Sequence, residues 1–200
     1  MTNSKRDDAR AALYAYIGGM GYPLREERAG AYYHVGTRGN NQRDIYSNDD
    51  SRLLFILMLQ GLAQVYEWRV LAYCLMNNHY HLVLRLGSRG LSRGMQSLNG
   101  GYAITFNARE GRRDHLFGRR FWSRELVDAD DVLTTCAYID RNPFRSFGVD
   151  PSEWPWSSFR AAAGLEPAKG FHRTGDLWRL LDRQPRRAMD TYASLVSAGL

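Results

Sequence analysis

Two histidines two residues apart, His79 and His81, are the first residues of this sequence whose spacing points to chemistry. They open the segment HYHLVLRL (79–86), where apolar and polar residues alternate as in a half-buried β-strand. Because alternate residues face opposite sides, Tyr80 and the leucines face a core, and both histidines share the other face. Imidazoles at this spacing lie about 7 Å apart, close enough to bind one divalent cation. An exposed sheet face without a metal would fit the same pattern.

A second chemically useful pair, Tyr138 and Asn142, lies on a predicted helix over 132–142 that Pro143 ends. The four-residue spacing places the two side chains next to each other on the polar side of the helix. A tyrosine facing a metal site can attack a phosphodiester and form a covalent phosphotyrosine, and an asparagine oxygen can complete the metal shell. On the residues alone, an amphipathic tyrosine at the core edge and a helix-capping asparagine are the preferred explanation of the pair.

Charge and composition favour an anionic partner. The 200 residues include 27 Lys+Arg against 21 Asp+Glu, a net charge of +6, and only Lys5 and Lys169 are lysines. Arginine suits phosphate oxygens and aromatic stacking, although a GC-rich genome would produce the same arginine bias. Hydrophobic residues at 44% and aromatics at 12% exclude a disordered chain.

The densest basic stretch, residues 109–124, has a net charge of +4. Its arginines would follow a nucleic-acid backbone, while its interleaved aromatics, Phe117, Phe121 and Trp122, could stack on unpaired bases. A solvated basic loop whose aromatics fold into the core is the alternative. The predicted DNA-contacting residues are Arg109, Arg112, Arg113, Arg119, Arg120 and Arg124, with Arg38 and Asn40 as further candidates.

Several protein classes are not expected. The longest apolar run, 53–59, is too short to span a membrane, and the polar N-terminus lacks the apolar segment of a signal peptide. Two cysteines, Cys74 and Cys136, are too few for a disulfide scaffold. We therefore expect a cytoplasmic, nucleoid-associated protein with no membrane partner and no small-molecule cofactor.

The predicted element order, β-α-β-β-α-β-α, is typical of a ferredoxin-like sandwich of the α/β (α+β) class. Its central antiparallel sheet carries the two histidines and leaves one face for a site, and a helical appendage follows. Leu53, Leu57 and the neighbouring Leu54, Phe55 and Ile56 of the first helix are expected to pack on the sheet. The predicted strands are 31–38, 68–76, 79–86 and 121–127, and the helices before the appendage are 49–66, 91–109 and 132–142.

Three segments resemble the REP-associated tyrosine transposases, a branch of the single-tyrosine HUH transposases, in which two histidines flank a hydrophobic residue. They are YYHVGTRGNN (32–41), AYCLMNNHYHL (72–82) and AYIDRNP (137–143). LFGRRFWS (116–123) and PWSSF (155–159) are also similar to that family. The resemblance covers roughly residues 22–160. It departs from the family at Tyr80, a bulkier middle residue, and at Asn77, where proline is common.

The resemblance implies that His79, His81 and Asn142 bind Mg²⁺ or Mn²⁺ and that Tyr138 is the catalytic nucleophile. The implied activity is metal-dependent cleavage and rejoining of single-stranded, hairpin-forming palindromic DNA through a 5′-phosphotyrosine. The implied organisation is an N-terminal extension (1–21), an HUH transposase catalytic domain (22–148) and a C-terminal appendage (149–200).

Other functions stay open. A domesticated relative would bind DNA hairpins without cleaving them. A phosphoesterase with two His-x-Thr/Ser motifs is matched only at His172-Arg173-Thr174, and we expect His172 and His115 to be surface residues. A monomer is preferred to a dimer that exchanges its tyrosine helix.

Overall fold

The computed structural model describes residues 27–199, so the predicted extension over 1–21 lies outside the described residues. Residues 27–199 form four strands and seven α-helices. In chain order these are β1 (Tyr32–Arg38), α1 (Asp49–Val65), β2 (Arg69–Leu75), β3 (His79–Arg85), α2 (Leu91–Arg109), β4 (Trp122–Leu126), α3 (Ala129–Asp140), α4 (Asn142–Phe147), α5 (Phe159–Ala162), α6 (Thr174–Leu181) and α7 (Pro185–Ala198).

The four strands form one antiparallel sheet in the order β2-β3-β1-β4. This order, with α1 and α2 as the two crossovers, confirms the predicted ferredoxin-like sandwich. β1 is central and pairs with the histidine strand, so that Gly36 lies opposite His81 and Arg38 lies opposite His79. Side chains of β1 therefore reach the predicted site.

Helices α1 and α2 cover one face of the sheet. Asn48 and Ser51 form a reciprocal capping box that begins α1. The prediction that Leu53 and Leu57 pack on the sheet is wrong, because these side chains are 48% and 57% exposed. A different stripe of α1, which includes Phe55, Ile56 and Leu59, faces the sheet. The buried residues of this core include Tyr33, Val35, Phe55, Ile56, Leu59, Tyr80, Leu82, Leu84, Leu98 and Tyr102.

The opposite face carries a second hydrophobic core instead of being left open. Val83 shares this face with the histidines but is fully buried under α3 and the C-terminal helices. Residues after 149 therefore pack directly on the sheet, and the site occupies the His79 end of this face. The second core includes Leu71, Ala72, Val83, Val132, Cys136, Ile139, Phe159, Leu177, Tyr192 and Val196.

The tyrosine helix differs in its bounds from the prediction of 132–142. α3 begins after Asp128, whose side chain accepts from the Asp131 amide at 2.8 Å, and it ends at Asp140. Pro143 does not end this helix but occupies the first turn of α4. A proline fits there because the first-turn amides of a helix have no intrahelical acceptor.

The outer edge of β2 is covered by the C-terminal segment. The Leu75 amide donates to the Trp156 carbonyl at 2.9 Å, and the Ser158 amide donates to the Tyr73 carbonyl at 2.8 Å. This pairing satisfies backbone groups that an edge strand would otherwise expose. Across residues 27–199, no helix combines the length and the apolarity that crossing a membrane requires.

Candidate nucleophile and histidine site

The two predicted histidines lie side by side on β3, and a third histidine joins them. The ring centroids of His79 and His81 are 5.1 Å apart. His34 of β1 places its Nε2 3.1 Å from His81 Nδ1, and the two nitrogens share a hydrogen bond. His34 was not among the residues predicted from the sequence to form the site. Its position could have indicated a role, because the ferredoxin-like order places β1 beside β3. His34 lies two residues before Gly36, which is the partner of His81 in that pairing.

Burial keeps all three imidazoles neutral at neutral pH. It lowers the pKa of His34 and of His79 to about 4, and that of His81 to about 3. His79 Nδ1 donates to Asn78 Oδ1 at 2.7 Å, and the Asn78 amide nitrogen donates to the Gln42 carbonyl at 3.0 Å. His79 Nε2 therefore keeps its lone pair. Such a partner on the second ring nitrogen is typical of metal-binding histidines.

Tyr138 of α3 lies against the histidines, as the predicted site requires. Its ring centroid is 6.2 Å from that of His81 and 6.4 Å from that of His34. The Arg145 guanidinium of α4 lies 4.9 Å above the Tyr138 ring. The tyrosine is 37% exposed, so a substrate can reach it. The fold thus brings the predicted nucleophile to the predicted metal ligands.

Asn142 is buried at the junction of α3 and α4. Its Nδ2 donates to the carbonyls of Tyr138 and Ile139 at 3.0 and 3.2 Å. These are carbonyls of the last turn of α3, so the amide nitrogen serves as a helix cap. This contact leaves the role of the amide oxygen as a third metal ligand a prediction.

Trp122 of β4 packs against two of the three histidines. Its ring centroid lies 4.5 Å from that of His34 and 5.7 Å from that of His81. A Cβ on Gly36 would come within 2.8 Å of the indole, so glycine is the residue that lets the ring lie against β1. Trp122 is 42% exposed, whereas Phe121 is buried in the first core and Phe117 packs against it. Trp122 is thus the aromatic of this stretch that lies at the site.

The predicted DNA-contacting residues divide into three groups. Four of them line a cavity of about 470 Å³ next to Trp122: Arg38, Asn40, Arg119 and Arg120. Two others are paired with carboxylates: Arg124 binds Asp131 through two contacts of 2.8 and 2.9 Å, and Arg112 binds Asp114 at 3.1 Å. Arg109 and Arg113 are exposed but do not line this cavity.

The phosphoesterase alternative gains no support from the structure. His172 was expected at the surface, but it is 4% exposed, and its Nε2 donates to the Leu71 carbonyl at 2.9 Å. Its ring packs against Tyr73 beneath the C-terminal segment, away from the three histidines. His115 is exposed as expected.

Comparison with known proteins identifies the family of this chain. Residues 28–142, which include all three site histidines, Tyr138 and Asn142, match the model described as "Transposase IS200 like". The chain belongs to the IS200-like transposase family. No curated protein matches it. Family membership gives this transposase a role in DNA processing and agrees with the motifs over 32–41, 72–82 and 137–143.

Two solved structures resemble this IS200-like transposase. A REP-associated tyrosine transposase bound to a REP hairpin aligns with a TM-score of 0.59 and 19% identity, over 74% of this chain and 89% of that one. This likeness shows a shared fold and agrees with the resemblance seen in the sequence. A putative transposase from Deinococcus radiodurans R1 aligns with a TM-score of 0.41 and 12% identity, over 55% of this chain and 87% of that one.

Proposed function

We propose that this IS200-like transposase cleaves and rejoins single-stranded, hairpin-forming DNA through a covalent 5′-phosphotyrosine at Tyr138. The observation that carries the proposal is the 6.2 Å approach of the Tyr138 ring to His81, on the sheet face that also holds His79. A tyrosine hydroxyl next to neutral imidazoles, on a surface with nearby arginines, is suited to attack a phosphodiester.

The proposed cation is Mg²⁺ or Mn²⁺, which two imidazoles and one amide oxygen would hold together with oxygen ligands from water and DNA. Between residues 27 and 199, no cluster of three or more His, Cys, Asp or Glu side chains has metal-binding geometry. His79 and His81 would hold the cation through their Nε2 atoms, and the Asn142 amide oxygen would be the third protein ligand. Water and a phosphate oxygen would take the other positions. When bound, the cation would polarise the scissile phosphate and stabilise negative charge that develops on it.

The proposed reaction exchanges one phosphoester for another. Tyr138 Oη attacks the scissile phosphorus, the Oη–P bond forms and the P–O3′ bond breaks. The phosphate stays on the 5′ end as phosphotyrosine, and the hydroxyl proton of Tyr138 ends on the departing 3′ oxygen. The 3′-OH can attack the phosphotyrosine in reverse, so cleavage and joining need no ATP.

The basic surface at Trp122 supports a DNA substrate. Arg38 and Arg119 line the cavity beside Trp122, where guanidinium groups can bind phosphates and the exposed indole can stack on a base. The relative of known structure is bound to a REP hairpin, which supports a hairpin-forming substrate for this chain as well. A non-cleaving hairpin-binding protein is the alternative outcome of the test below.

The test uses purified protein and labelled single-stranded hairpins from beside its own gene, analysed on denaturing gels. We expect a protein–DNA adduct with Mg²⁺ or Mn²⁺ that EDTA abolishes. Tyr138→Phe should form no adduct, while Tyr66→Phe, a matched change at the end of α1, should behave as wild type. An adduct that persists in Tyr138→Phe would refute the proposal. Tight binding without adduct or cleavage would favour the non-cleaving alternative.

A further inference from the structure

A second cavity of about 470 Å³ adjoins the first on the far side of the segment 117–121. Arg119 and Arg120 line both cavities and thus form the wall between them. One side of the second cavity is a stripe along α2 with helical spacing. The lining residues are Ser92, Met95, Gln96, Asn99, Gly100, Phe117, Arg119, Arg120 and Phe121.

The lining combines an apolar floor with an amide rim. Met95 and Phe121 are buried in the first core, and they supply the floor. Asn99 stands at the rim with its Oδ1 accepting from the Tyr80 hydroxyl at 2.6 Å. This contact fixes the amide, so its NH₂ is the group left to donate to a ligand. Gln96 next to it is exposed and can both donate and accept.

Flat apolar surface, amide hydrogen bonds and neighbouring arginines are together the chemistry that recognises a nucleobase attached to a sugar-phosphate backbone. We propose that this cavity binds one unpaired base of the DNA substrate. The adjacent phosphates would cross the Arg119 wall, and the strand would continue past Trp122 to Tyr138. This inference rests on the proposed function and adds a site that selects the substrate by base.

Gly100 offers a direct way to test the cavity. It lies within α2, and a Cβ built on it meets no atom within 4 Å. The next residue, Gly101, is equally free of neighbours but does not line the cavity. Leucine favours a helix over glycine at either position, so both substitutions preserve or strengthen α2. Gly100→Leu would therefore obstruct the cavity, and Gly101→Leu is its matched control.

The experiment measures dissociation constants for a hairpin with a single-stranded flank by fluorescence anisotropy at one fixed salt concentration. We expect Gly100→Leu to bind about 10-fold more weakly than wild type. Gly101→Leu should stay within about 2-fold of wild type. Thermal unfolding should show that neither variant is destabilised.

An abasic scan of the flank identifies the bound base. One abasic position should weaken wild-type binding about 10-fold and leave Gly100→Leu with no further loss, because both changes remove the same contact. The inference is overturned if Gly100→Leu binds like Gly101→Leu, or if the two losses add at every position. Wild-type cleavage in that case would leave the proposed function standing. Wild type that neither binds nor cleaves any hairpin would overturn both.

Discussion

Asp140 is the last residue of α3, and its carboxylate is fully buried. We predict that this carboxylate makes the stability of the transposase depend on pH. Its two oxygens accept from the Ser158 and Tyr192 hydroxyls, each at 2.7 Å. Burial raises the pKa of Asp140 to about 7 despite these hydrogen bonds. Burial also raises the pKa of the Tyr192 hydroxyl and the Cys136 thiol, so these neighbours stay neutral while Asp140 titrates.

The sign follows from proton linkage. The folded chain holds the Asp140 proton more tightly than the unfolded chain, where the ordinary pKa is near 3.8. The resulting stability is fully present below pH 3.8 and is lost as the pH rises through about 7. The difference between the two pKa values corresponds to about 4 kcal/mol of unfolding free energy.

Asp140→Asn removes this titration and can keep the hydrogen bonds. The amide oxygen accepts from Tyr192, and the amide NH₂ donates to Ser158, whose hydroxyl is already 3.2 Å from the Tyr73 carbonyl oxygen and can donate there. We therefore expect the variant to gain up to about 4 kcal/mol over wild type at pH 8 and much less at pH 4.5.

The assay is urea unfolding of both proteins at intervals from pH 4.5 to 8.5. The difference in unfolding free energy should grow with pH and level off above about 7. Asp190→Asn, the same change at an exposed carboxylate on α7, is the matched control. A flat difference for Asp140→Asn, or one that falls as the pH rises, would refute the reasoning.

Two further predictions concern the surroundings of Tyr138. Gly36→Ala should cost about 1–3 kcal/mol in thermal unfolding and slow adduct formation, because its Cβ would lie 2.7 Å from the Tyr80 carbonyl oxygen and displace Trp122. Gly61→Ala is the control, because a Cβ at Gly61 meets no atom within 4 Å. A melting temperature of Gly36→Ala equal to that of wild type would contradict the prediction. Arg145→Ala should slow single-turnover adduct formation about 2- to 5-fold through loss of the cation–π contact, with partial rescue by Arg145→Lys. An unchanged rate would show that this contact does not position the ring.

The sequence predicts the sheet and the side-by-side histidines because both depend on local patterns. Alternation over 79–86 places His79 and His81 together on one face, and the observed strand does the same. The β-α-β-β-α-β order restricts the sheet to few topologies, and the ferredoxin-like one is found. The position of Tyr138 on the exposed side of its helix follows from helical periodicity in the same way.

What the sequence does not predict depends on contacts between distant segments. His34 meets His81 only through the register of β1 against β3, and an isolated histidine on a strand carries no sign of that register. The second core forms from residues separated by more than 100 positions, such as Val83 and Val196, so the site face was expected to be open. For Asn142, helical spacing places it near Tyr138, but the nearby backbone carbonyls decide what its amide nitrogen binds.

Helix α3 is held in place through Asp140, on the face opposite to Tyr138. Tyr138 and Asp140 are about 200° apart around α3, so one faces the histidines while the other faces the C-terminal helices. An apolar residue at 140 would tolerate many small displacements of the helix. The carboxylate instead needs two hydroxyls at fixed places, one immediately before α5 and one on α7. Since a rotation or slide of α3 would break these hydrogen bonds in a buried setting, they fix the direction of the Tyr138 ring. We therefore expect the lower stability that Asp140 imposes at neutral pH to be offset by accurate placement of the Tyr138 hydroxyl, the proposed nucleophile.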